Sequence, residues 1–186
     1  MVPDGLVRAL DGFEAVLTGV TPDRWDAPSP CAGWCAADVA SHVTGDLREV
    51  ESFAIGRGEA GSAAVPGPAS GGDAVAAWRA ARAGMMAALD PAGLARPLLL
   101  PWGGQITLGE FLRRSPVEIL VHTWDLARAT GQPAGLDHGL VREALEPARL
   151  WAPALRAAGQ VGREIAVAGD ADDLTRLLAI FGRRGS

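Results

Sequence analysis

Glu118 and His122 stand four residues apart in the run Pro116-Val117-Glu118-Ile119-Leu120-Val121-His122. On an α-helix that spacing places a carboxylate and an imidazole one above the other on the same face, where both can reach one ion. A divalent cation such as zinc takes neutral imidazole and carboxylate donors at about 2 Å, and open catalytic sites commonly use three protein ligands plus water. The chain has three histidines, so each can be weighed singly. His42 falls in the stripe Val39, His42, Val43, Leu47, Val50, Phe53, which turns it toward a helix's inner face. His138, between Asp137 and Gly139, has no ligand partner at useful spacing and is read as a surface residue. His42, Glu118 and His122 are therefore the candidate ligands of one divalent metal ion.

The same residues also admit structural roles. Ser115-Pro116-Val117-Glu118 has the form of a helix start, with Ser115 as N-cap, Pro116 at the first position and Glu118 reaching back in a capping box. His42 could be a core histidine bonded to a backbone carbonyl, and His122 could pair with Asp125 one turn later. Asp125 could equally orient a ligand or an outer water. Spacing leaves open whether Glu118 is a ligand or a cap. Cys31 and Cys35 are too close for a disulfide framework and too few for a structural zinc site. Both are read as reduced, with Cys31 in a packing role. Trp34, Trp102 and Trp124 either line a pocket or serve as large core residues.

The elements that must position these groups are mostly helices. Asp4 can cap a first helix to about Thr18, with Leu6, Leu10, Phe13 and Leu17 along one face. Prolines 22, 28 and 30 then force a loop. A second helix spans about Cys35 to Ile55. Residues 56–72, rich in Gly, Ala, Ser and Pro, read as a flexible connector. Asp73 caps a third helix to about Leu89, ended by Asp90-Pro91. Leu98 to Leu100 and Gln105 to Thr107 suit two short strands around a turn, or an irregular crossover. A fourth helical region, about Leu108 to Thr130, must kink or split at Pro116 and stops at Gly131. Two later helices cover roughly Asp137 to Ala157 and Ala171 to Phe181, with Val161 to Ala168 between them extended. One all-helical domain over residues 1–186 is expected, since this length supports one well-buried core.

Composition excludes several classes. The net charge is −5, all 17 basic residues are Arg, and no basic run exceeds Arg113-Arg114 or Arg183-Arg184, so nucleic-acid binding is not expected. The first twelve residues carry Asp4, Arg8 and Asp11 rather than a basic head and an apolar stretch, and the longest apolar runs cannot span a bilayer. A cytoplasmic protein without membrane partners is expected.

Pro28-Ser29-Pro30-Cys31-Ala32-Gly33-Trp34 followed by Asp38-Val39-Ala40-Ser41-His42-Val43 resembles the DinB-like mycothiol-dependent maleylpyruvate isomerase family. Glu118 to Arg128 (EILVHTWDLAR), Ala129-Thr130-Gly131-Gln132 and Asp173 to Gly182 (DLTRLLAIFG) extend the resemblance to the end of the chain. It implies a DinB/YfiT-like four-helix bundle with additional C-terminal helices, whose inner histidines and a carboxylate bind a divalent ion, at positions matching His42, Glu118 and His122. It also implies a chemistry, in which the ion, zinc first but nickel, manganese or iron also being compatible with such donors, binds the thiol of mycothiol and lowers its pKa. The thiolate then adds to an activated alkene and permits isomerisation, or displaces a leaving group. The chain ends about where the second domain of the family's best-known enzyme would begin, so maleylpyruvate itself is not the expected substrate. The alternative is a non-catalytic small-molecule binding or resistance protein using the same metal-lined cavity.

Overall fold

The computed structural model describes residues 1–57, 74–100 and 103–185. Its helices are α1 (Asp4–Thr18), α2 (Ala36–Ala54), α3 (Ala74–Ala88), α4 (Pro91–Leu94), α5 (Leu108–Leu112), α6 (Pro116–Thr130), α7 (His138–Ala157) and α8 (Asp173–Ile180). The apolar stripe of α1 buries Leu6, Leu10, Phe13 and Leu17. Asp4 is its first helical residue rather than its cap, a place held by Pro3 without a side-chain bond. The Asp4 charge still complements the helix's positive end. The expected cap Asp73 and most of the 56–72 connector lie outside the described residues.

The expected mostly helical fold is what forms. α1 packs on α6 and α3, and α2 packs on α3 and α6, which closes a ring of four helices. α7 lies against α6 and carries α8. Phe13 and Trp78 meet in the core with ring centroids 4.7 Å apart, and the fully buried Trp78 donates its Nε1–H to Glu14 Oε2 at 3.2 Å. That bond keeps a large ring from burying an unpaired polar atom.

Pro116 splits the fourth helical region, as its missing amide requires. Thr107 and Glu110 form a capping box at the start of α5, and a new helix begins at Pro116. α6 takes the central place and is buried around nearly its whole circumference: within it only Glu118 and Arg128 are exposed, and its polar His122, Thr123, Asp125 and Thr130 are buried. It ends at Gly131 with φ +74°, the left-handed conformation that favours glycine past a helix C-terminus. Asp90-Pro91 opens α4 instead of simply stopping α3, with Asp90 Oδ1 accepting the Gly93 N–H at 2.7 Å. The hairpin forms as two antiparallel strands, β1 (Pro97–Leu99) and β2 (Gln105–Thr107), with Leu98 opposite Ile106. Residues 161–168 are not a strand; Ile165 N–H donates to the Ala179 carbonyl at 3.0 Å. No helix among the described residues is long and apolar enough to cross a membrane.

Candidate metal centre

The loop before α2 sets one wall of the site. Pro28 and Cys35 form an isolated antiparallel bridge, Ser29 N–H donates to the Trp34 carbonyl at 2.9 Å, and Trp34 N–H donates to the Cys31 carbonyl at 3.0 Å. The turn closes through Gly33 at φ +81°, where an L side chain is strained whatever the space around it. Gly33→Ala is expected to cost about 1–2 kcal/mol, read as a lowered denaturation midpoint. Asp38 Oδ2 accepts the Cys35 N–H at 2.9 Å and anchors the start of α2. Trp34 thereby stands beside both imidazoles, with ring centroids 5.0 Å from His42 and 6.1 Å from His122.

Helices α2 and α6 pack against each other and bring His42, Glu118 and His122 together. One donor atom from each lies within 4.8 Å of the other two. His42 Nε2 is 3.2 Å from Glu118 Oε1. Two donors each about 2.0 Å from an ion at a tetrahedral angle stand about 3.3 Å apart, so this pair has the spacing of neighbouring ligands. The capping alternative for Glu118 does not form. Ser115 makes no side-chain cap bond and its hydroxyl donates to the Phe111 carbonyl at 3.3 Å, while the Glu118 carboxylate turns to α2.

A fourth group completes this side. Asp46, one turn beyond His42, has Oδ2 3.4 Å from His42 Nε2. Burial, with the Glu118 and Glu49 carboxylates nearby, pushes its carboxyl up to about 9, so it holds a proton at neutral pH. Burial also works against the Glu118 charge, but its side chain stays 52% exposed, and the hydrogen bond from His42 and the pull of both imidazoles hold its pKa below the usual range. Glu118 is thus the ionised member of the pair and the most exposed side chain of the site.

The other side of His122 is closed. Asp125, with no exposed surface, accepts from His122 Nδ1 at 3.1 Å, from the Cys31 thiol at 3.1 Å and from Arg183 Nη2 at 2.8 Å, all at Oδ2; Oδ1 takes Arg183 Nε at 3.2 Å. Arg183 Nη2 also lies 3.0 Å from Cys31 Sγ. Burial opposes the Asp125 charge, yet the bonds from His122 and Arg183 hold its carboxyl down at about 2. Burial and the Asp125 charge push the Cys31 thiol up to about 12, so it is protonated. With Nδ1–H committed to Asp125, Nε2 is the nitrogen of His122 left to a shared ion.

Residues 6–127 match the family described as the mycothiol maleylpyruvate isomerase N-terminal domain. The chain belongs to that family. The matched span holds Cys31, His42, Glu118, His122 and Asp125, and it stops well before Arg183. An uncharacterised protein of Mycobacterium tuberculosis, found in two strains, is 37% identical over 160 residues, which cover 82% of this chain and 81% of the relative. The crystal structure of the mycothiol-dependent maleylpyruvate isomerase is similar at a TM-score of 0.48 and 16% identity, over 86% of this chain and 72% of that one.

His42, Glu118 and His122 are brought together, Trp34 lines their site, and His138 is exposed at the start of α7. Trp124 is buried with the Arg128 guanidinium 5.8 Å from its ring, and Trp102 lies outside the described residues. Cys31, expected to do no more than pack, belongs to the network behind His122. Asp46 stands at i+4 from His42, the same spacing as Glu118 and His122, so its signal was present in the sequence. Arg183 carried no local signal at all, being 58 residues from its partner Asp125.

Proposed function

We propose that the protein binds one divalent metal ion through His42, Glu118 and His122 and uses it in a mycothiol-dependent S-transfer or isomerisation on a small electrophile. The observation that carries this reading is the convergence of the three donors within 4.8 Å, on the elements that the family match spans. A divalent ion there would lower the pKa of a coordinated thiol and so supply a thiolate nucleophile. The chain's own residues do the rest. Asp125 holds His122 in one tautomer and orientation. Trp34 walls the imidazoles, and the half-exposed Glu118 leaves the way in from the N-terminal end of α6. Of the ions that two imidazoles and a carboxylate accept, zinc is the one we assign here, with the cytoplasm as the compartment.

Metal analysis of the purified protein, followed by turnover of a model electrophile with mycothiol, tests this. About one equivalent of metal and thiol-dependent turnover are expected, with both lost in His42→Ala. Glu118→Gln removes the anionic donor and is expected to weaken retention by at least about tenfold. Stoichiometric metal with no thiol reaction would leave the non-catalytic binding protein as the reading. Unchanged metal content in Glu118→Gln would remove Glu118 from the ligand set.

A further inference from the structure

Two triads of metal-type donors share His122: His42–Glu118–His122 on one side and Cys31–His122–Asp125 on the other, each with its atoms within 4.8 Å of one another. Sulfur, imidazole and carboxylate donors form a set that accepts zinc at least as well as the first triad does. The second triad, however, already holds a positive group. The Arg183 side chain is 11% exposed, places Nη2 2.8 Å from Asp125 Oδ2 and 3.0 Å from Cys31 Sγ, and donates Nη1–H to the Phe181 carbonyl at 2.9 Å, which moors it to the end of α8. A guanidinium has donors only and does not deprotonate in proteins, so its charge is permanent.

We propose that the Arg183 guanidinium is a built-in cation occupying a second, sulfur-containing metal cradle of Cys31, Asp125 and His122, and that it thereby confines a divalent ion to the His42–Glu118 side of His122.

The two cradles exclude each other because a neutral imidazole has one lone pair to give. While Asp125 is an anion held by Arg183, it takes the Nδ1–H of His122 and leaves the Nε2 lone pair free. An ion in the second cradle would take the Nδ1 lone pair instead. The ring proton would move to Nε2, and the Cys31 thiol would release its proton to solvent as the sulfur–metal bond formed. Removing the guanidinium charge should therefore move the ion across His122, not merely loosen it. This second half rests on the ligand reading given under Proposed function; the existence of the cradle does not.

Cobalt(II) titration of the full chain tests both halves. The unaltered protein is expected to bind cobalt without sulfur-to-cobalt charge-transfer absorption. R183M is expected to show that absorption, to lose it when Cys31→Ser is added, and to keep cobalt affinity within about tenfold when His42→Ala is added, a change that alone lowers affinity by more than that. R183Q, neutral but able to donate an amide hydrogen bond to Asp125, carries the same expectation should R183M fold poorly. Cobalt bound by R183M and R183Q without sulfur absorption overturns the proposal and leaves the ligand reading standing. Sulfur absorption in the unaltered protein overturns it too, as does failure of both variants to fold with cobalt present. Cysteine-dependent binding in R183M beside no binding in the unaltered protein keeps the cradle and removes the ligand reading.

Discussion

His122→Ala is expected to abolish metal retention and to lower affinity by more than about 100-fold, since changes to outer-shell partners alone commonly cost about 10–100-fold. The effect should exceed that of Glu118→Gln, because His122 is the point where both donor networks meet. Its ring sits 4.9 Å from that of His42 and it is the group that Asp125 orients. Without it, His42 and Glu118 remain as two donors, one fewer than open catalytic sites commonly use. Equilibrium dialysis against zinc reads the change, and His138→Ala serves as the control because His138 is exposed at the head of α7. Equal losses in both variants would mean that histidine content and not this site governs binding.

Asp125→Ala is expected to cost about 3–5 kcal/mol of folding stability, the range for removing one partner of a buried ion pair. Arg183 would lose both bonds to the carboxylate while its side chain stays 11% exposed, and the Cys31 thiol and His122 Nδ1–H would each lose their acceptor. Urea denaturation of the metal-free protein measures it. The pH dependence has a definite sign. The folded Asp125 carboxyl sits at about 2, below its unfolded value, so its contribution is fully present above about pH 4 and is lost as pH falls toward 2. By that linkage it amounts to about 2 kcal/mol. Asp46 runs the other way. Its folded carboxyl at about 9 keeps a proton that the unfolded chain has already lost, so stability falls as pH rises from about 4 to about 9. Asp46→Asn should flatten that decline and leave the acid limb intact. A decline that persists in Asp46→Asn would assign it to another group.

The helices were legible because their signals are local. Leu6, Leu10, Phe13 and Leu17 recur at helical spacing and are buried together in α1. Pro116 lacks an amide and Gly131 tolerates positive φ, so the limits of α6 follow from single residues. Where a boundary or cap departed from expectation, as at Asp4 or at the start of α8, the difference was one or two residues at a helix end, the place where local preferences are weakest.

For the site, sequence by itself determined that Glu118 and His122 share a helix face and that His42 lies on an inward stripe, since each statement concerns one helix. Only the tertiary structure decided what those side chains meet. The stretch Ser115 to Glu118 is compatible with a capping box, but Ser115 makes no cap bond and α2, packing on α6, places His42 Nε2 3.2 Å from the Glu118 carboxylate. The closed side of His122 was farther out of reach. Cys31 and Asp125 are 94 residues apart and Arg183 lies 58 beyond Asp125, so no periodicity links them. Their meeting depends on the Pro28–Cys35 loop and the segment after α8 packing against the same face of α6. A helix's own residues dictate its period and its ends; which charges it buries, and beside which partners, is dictated by the chain that folds against it.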